Sequence, residues 1–241
     1  DGSRQIEIDV AGSMIDTVSE EEPTPGDTVF LTIDYKLQKI AEDTLKQTME
    51  TIQKGDKSKG VDPYPNATSG AVVALDVNSG RVLALASNPS YDPNLFATGI
   101  SSKNWKAMQP LTNESYAPKP LVNNAISTAL PPGSTMKMLT GMAGLETNNI
   151  NAKEIIIDRG PYEVGGGYAP SCAIWKSSHT THGAVDINKA IQKSCNYYFF
   201  EVGRRIGGEV FEKYAKLFGF GEKTGIELTG EASGIISGPS Y

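Results

Sequence analysis

The chain has 241 residues, 39% of them hydrophobic and 21% charged, with a formal net charge of -6 at pH 7. That apolar content supports the buried core of one domain plus an appendage, and the acidic balance argues against nucleic acid as a partner. No apolar run approaches the ~20 residues that a membrane-crossing helix needs, no signal segment opens the chain, and there is no internal repeat. Residues 4–10 alternate polar and apolar and predict a strand. Residues 20–26, Glu-Glu-Glu-Pro-Thr-Pro-Gly, read as an acidic, proline-rich connector. From a predicted cap at Asp34, the residues Leu37, Ile40, Ala41, Leu45, Met49 and Ile52 recur at helical steps and make an amphipathic helix suited to packing on a sheet. A polar loop fills residues 55–67, and Asn78-Ser79-Gly80 turns a hairpin between apolar runs at 71–75 and 81–87. Residues 90–125 lack periodicity and read as an ordered loop region. Helical pattern returns at 185–206, interrupted at Ser194, and again at 210–218. Helices on an antiparallel sheet give an α+β class.

The stretch richest in chemistry is Pro131-Pro132-Gly133-Ser134-Thr135-Met136-Lys137, followed by apolar Leu139, Met142, Ala143 and Leu145. A tight turn there delivers Ser134 to the start of a helix, and residues three apart share a helix face, so Lys137 can lie beside it. A serine hydroxyl needs a neighbouring base, and a lysine desolvated among apolar side chains has its pKa lowered enough to serve. The helix start adds unpaired N–H groups and a positive dipole end, which favour a developing oxyanion. Taken alone the pair is a weak signal, and a capping serine with a solvated lysine is its usual explanation. A second element, Ser194-Cys195-Asn196, lies downstream before an apolar helix. It offers a hydroxyl to relay a proton and an amide to anchor a carbonyl or the lysine, or more plainly a capped break between helices.

Ser-x-x-Lys followed by Ser-x-Asn is a signature of penicillin-binding proteins and related β-lactamases, and the chain resembles the transpeptidase module of class B penicillin-binding proteins. The segments at 25–34, 71–94, Asn123-Asn124-Ala125, His182-Gly183 and 218–221 also look like that family. The resemblance implies the penicillin-binding-protein/β-lactamase-like transpeptidase fold. Residues 1–66 would be an N-terminal strand, linker and part of the pedestal or junction, and 67–241 the N-terminal portion of the transpeptidase domain. It implies a serine-type D-Ala-D-Ala transpeptidase cross-linking peptidoglycan stem peptides: Ser134 the acylated nucleophile, Lys137 its base, Ser194 and Asn196 completing relay and anchoring. β-Lactams would acylate the same serine, and no cofactor is required. Partners would include cell-wall elongation or division proteins, on the extracytoplasmic face of the bacterial membrane, with a membrane anchor expected in the full-length protein. Alternatives are a β-lactam sensor or a non-catalytic cell-wall scaffold; a β-lactamase would need a further carboxylate motif, and none is evident. The family's third element, Lys-Thr-Gly on a strand, is spelled by Lys223-Thr224-Gly225, but its spacing and the following Ile226 mark it as a decoy. The true element is expected beyond Tyr241.

Both cysteines and both histidines fall in one window: Cys172, His179, His182 and Cys195. By number and softness they are candidate ligands for a structural zinc. A Cys172–Cys195 disulfide, or two unpaired buried thiols with His182 in a structural turn, are the other readings.

Overall fold

Asp34 opens the first long helix as the sequence predicts: its carboxylate accepts the Leu37 N–H at 3.0 Å, and the helix α1 runs Tyr35–Lys54. In this computed structural model the described residues are 2–97, 99–110, 112–114 and 116–239. Upstream of α1, β1 (Ser3–Ile8) pairs antiparallel with β2 (Met14–Glu21). The second strand departs from the expected connector: Glu20 and Glu21 lie in the ladder opposite Arg4 and Ser3. Both strands are exposed on both faces, so no apolar alternation marked the second one.

β3 (Gly70–Leu75) and β4 (Val82–Asn88) form the predicted hairpin. Ala84 and Ala86 on β4 are fully buried against Ala41, with Leu45 packed alongside; their small side chains let α1 lie close to the sheet. The Gln38 amide completes the contact like a strand residue, donating to the Leu85 carbonyl at 3.1 Å and accepting the Leu85 N–H at 2.7 Å. The aperiodic region carries a short 3-10 turn (Pro93–Phe96), α2 (Ser102–Met108) and α3 (Asn124–Ser127).

The larger core lies in the second half. A 3-10 turn, Gly133–Thr135, leads into α4 (Met136–Glu146). β5 (Ile156–Asp158) pairs with β6 (Gly183–Val185), with α5 (Ala173–Ser178) between them. α6 (Ile187–Gln192) and α7 (Asn196–Leu217) follow. Gly207, at φ 75°, breaks α7, so the helix expected over 210–218 is its second arm. α4 packs on α7 through Gly144, where an added Cβ would sit 2.8 Å from Val202 Cγ1. Lys137, Gly141 and Gly144 share one face of α4, so the seam that brings the helices together also aims Lys137 at the start of α7. Among the described residues no helix is long and apolar enough to cross a membrane.

Candidate active site

The link from α6 to α7 shapes the site. Ser194 takes a left-handed conformation at φ 50°, which costs a non-glycine residue roughly 1–2 kcal/mol. The turn is held by Ser194 N–H to the Ile191 carbonyl at 3.0 Å and Cys195 N–H to the Ala190 carbonyl at 2.8 Å. It leaves Ser194 exposed, buries Cys195 and half-buries Asn196.

On the open side, Ser134, Lys137, Ser194 and Asn196 come together. Ser194 Oγ donates to Ser134 Oγ at 3.0 Å. Lys137 Nζ donates to Ser194 Oγ at 2.9 Å, to the Ser194 carbonyl at 2.8 Å and to Asn196 Oδ1 at 2.5 Å. Among the described residues no hydrogen bond joins Ser134 directly to Lys137; the route between them passes through Ser194. Burial lowers the Lys137 pKa, against an opposing pull from Cys172 and Cys195. A lysine so placed exchanges its proton more readily than an exposed one. Lys223-Thr224-Gly225 lies in irregular chain rather than on a strand, its threonine bonded to Glu231 at 2.8 Å through the backbone N–H. A cavity of about 870 Å³ reaches Pro132 and Met136 but none of Ser134, Lys137, Ser194 and Asn196.

On the closed side the residues that converge differ from the four expected to ligate a metal. Asp158, Cys172, His182 and Cys195 converge, their ligand atoms all within 4.8 Å of one another. His179 is not among them: it ends α5 in a left-handed conformation at φ 53°, exposed, its ring against Trp175. Nearness in sequence misplaced it, because α5 turns it outward. Asp158 arrives instead by the β5–β6 pairing. Its one advance signal was an acid closing the apolar run Ile155-Ile156-Ile157, where a buried carboxylate requires partners.

The two thiols are unbonded, with sulfurs 3.8 Å apart. Cys195 Sγ stands 3.7 Å from Asp158 Oδ2, and His182 Nδ1 stands 3.2 Å from the same oxygen. That His182 nitrogen is buried and has no hydrogen-bond partner among the described residues; it faces the carboxylate without the alignment of a hydrogen bond. With bond lengths of about 2.0–2.3 Å, tetrahedral zinc sets ligand separations of about 3.3–3.8 Å; the three separations just given lie near that range, and thiols, an imidazole and a carboxylate are donors that zinc takes. Burial opposes ionisation of Asp158, but the backbone N–H groups of His182 and Gly160, the Cys172 thiol and the His182 ring outweigh it and hold the carboxyl below its usual range. Burial, with Cys172 and Asp158 nearby, pushes the Cys195 thiol well up.

Residues 70–240 match the penicillin binding protein transpeptidase domain. The chain belongs to that family. It is 31% identical over 240 residues to the peptidoglycan D,D-transpeptidase MrdA of Acinetobacter baumannii, covering 100% of this chain and 32% of that protein. It is 33% identical over 233 residues to MrdA of Escherichia coli K12, covering 97% and 32%. A solved complex between PBP2 and MreC from Helicobacter pylori superposes with a TM-score of 0.71 at 29% identity, covering 98% of this chain and 39% of that one. The chain therefore spans about a third of the length of the curated relatives it matches. Membership in this family agrees with the expected α+β transpeptidase fold.

Proposed function

We propose that the protein to which this chain belongs is a serine acyltransferase, a D-Ala-D-Ala transpeptidase that cross-links peptidoglycan stem peptides. The observation that carries this reading is the continuous path from Ser134 Oγ through Ser194 Oγ to Lys137 Nζ, at 3.0 and 2.9 Å. With Lys137 neutral, the two hydroxyls rotate about their C–O bonds so that Ser134 donates to Ser194 and Ser194 to the Lys137 lone pair; the amine then takes the Ser194 proton while Ser194 takes that of Ser134. The Ser134 oxygen then attacks the penultimate D-alanyl carbonyl. Collapse of the tetrahedral intermediate forms the ester and expels D-alanine, whose amine takes a proton back along the same path. An amine of a second stem peptide attacks the ester, loses its proton to the path and frees Ser134. A β-lactam acylates Ser134 by the same first step, its ring amide opening. The two relatives named MrdA support the substrate class. The H. pylori PBP2–MreC complex supports a partner among cell-wall assembly proteins, and with it a location on the extracytoplasmic face of the membrane.

The closed side has a structural role in this proposal: Asp158, Cys172, His182 and Cys195 hold a zinc ion, which would supply the charge that four converging donors need and pin the turn bearing Ser194. Serine chemistry requires no metal, and four protein ligands leave no open coordination position. Metal analysis of the purified protein tests this: one zinc per chain is expected, and none in Cys172→Ser.

Intact mass before and after benzylpenicillin tests the acyl-transfer reading in the full-length protein. One added penicillin mass, absent in Ser134→Ala, is the expected result. No adduct on folded wild-type protein would overturn it.

A further inference from the structure

The ends of the Asn196 carboxamide are close to isosteric, so flanking hydrogen bonds decide which end faces Lys137. Its Nδ2 donates to the Ser171 carbonyl at 3.1 Å, a pure acceptor, and that leaves Oδ1 for the Lys137 amine. What holds Ser171 therefore holds the relay.

Ser171 closes a small flap over residues 162–170. Its arms are joined by Tyr162 N–H to the Pro170 carbonyl at 2.8 Å and by Val164 N–H to the Tyr168 carbonyl at 3.3 Å. The tip is Gly165, Gly166 and Gly167 at φ 97°, 61° and 78°, backbone that other residues resist. The base is Tyr162, which is buried. Its hydroxyl donates to Glu201 Oε2 at 2.6 Å, and its ring meets Tyr197 edge-on at 5.0 Å between centroids. Both partners lie on α7, the helix that starts at Asn196. Arg204 and Arg205 fix Glu201 in turn, each donating at 2.8 Å to Oε1. The flap is thus fastened to α7 twice, by Tyr162 at one end and by Ser171 on Asn196 at the other.

We propose that this flap positions Asn196, with Tyr162 as a positioning residue of the acylation step: it fixes the Ser171 carbonyl, which fixes the Asn196 amide, which holds Lys137 against Ser194. The proposal rests on the acyl-transfer reading above. Among the described residues no hydrogen bond joins Tyr162 to Ser134, Lys137, Ser194 or Asn196; its effect passes through the Ser171 carbonyl to Asn196.

The test is a double-mutant cycle in the full-length protein, reading the benzylpenicillin acylation rate constant and the preceding dissociation constant separately by time-resolved intact mass. Tyr162→Phe keeps the ring contact and deletes only the bond to Glu201. It should slow acylation about 10-fold, the scale of one charge-assisted hydrogen bond, with the dissociation constant little changed. In an Asn196→Ala background the same substitution should add nothing. An equal loss in both backgrounds, an unchanged rate, or a loss seen only as a smaller fraction of protein acylated would overturn the proposal and leave Tyr162 as support for the fold. Should Tyr162→Phe fail to fold, Glu201→Gln weakens the same bond by removing its charge, and a loss of about 3-fold that vanishes in Asn196→Ala is expected. No adduct on the wild type overturns the acyl-transfer reading and the proposal with it; an adduct formed at a rate independent of Tyr162 overturns the proposal alone.

Discussion

Ser194, Cys195 and Asn196 are consecutive, yet they serve two regions built on opposite terms. Ser194 is exposed and Asn196 half-buried beside Lys137, where hydroxyls and an amine exchange hydrogen bonds within reach of a substrate. Cys195, between them, is fully buried among a second thiol, an imidazole and a carboxylate. In the proposed reaction the open region moves protons, which calls for solvent access and a lysine that can lose its charge. The closed region gathers two thiols, a carboxylate and an imidazole, three of the four residues buried and His182 half-buried. One left-handed residue, Ser194, lets a single turn serve both, so the closed side can brace the open one from beneath.

Variants that strike one side only sharpen this contrast. The largest effect expected is on the open side: Ser134→Ala should abolish the penicillin adduct and leave the melting temperature where it was. Lys137→Met should slow acylation about 1,000-fold, within the usual range for removing a general base. In the wild type the rate should climb with pH as Lys137 loses its proton, with a midpoint below that of an ordinary lysine because burial lowers its pKa. A flat pH profile would break the assignment.

Neighbours should then dissociate. Ser194→Ala should cost about 100-fold in acylation with little change in melting temperature, whereas Cys195→Ser should lower the melting temperature by about 5–10 °C and release bound metal. If both variants lost stability equally, the two regions would be one. Gly144→Ala tests the seam between them, since its Cβ would stand 2.8 Å from Val202; overpacking should destabilise by about 1–3 kcal/mol, read by denaturant unfolding. The smallest effect belongs to Glu201, whose carboxyl is held down to about 2, mainly by its hydrogen bond from Arg204. Its ordinary value is 4.5, so its contribution should be complete above that pH and fade as pH falls toward 2. Glu201→Gln should flatten that limb of an acid-unfolding curve.

The grouping of Ser134, Lys137, Ser194 and Asn196 was largely legible in the sequence, since its parts are local: Ser134 in a 3-10 turn stands three residues before Lys137 at the start of α4, and Ser194 and Asn196 flank one turn. The helix from Asp34 and the hairpin at 70–88 were legible through a cap and through turn chemistry. β2 was not, because a strand exposed on both faces carries no alternation. His179 misled through proximity along the chain, and Asp158 and Tyr162 stayed hidden because their partners in the cluster and on α7 lie 14 to 39 residues away.

By itself, then, the sequence determined which residues could exchange a proton along a helix face or a tripeptide, since those distances follow from backbone geometry. The tertiary structure decided the rest: that Ser194 stands between Ser134 and Lys137, that Asp158 and not His179 meets the two thiols, and that Ser171 orients Asn196. Those contacts exist because α4 packs closely on α7 and β6 pairs with β5. Such long-range choices are set by packing and burial, which no local spacing encodes.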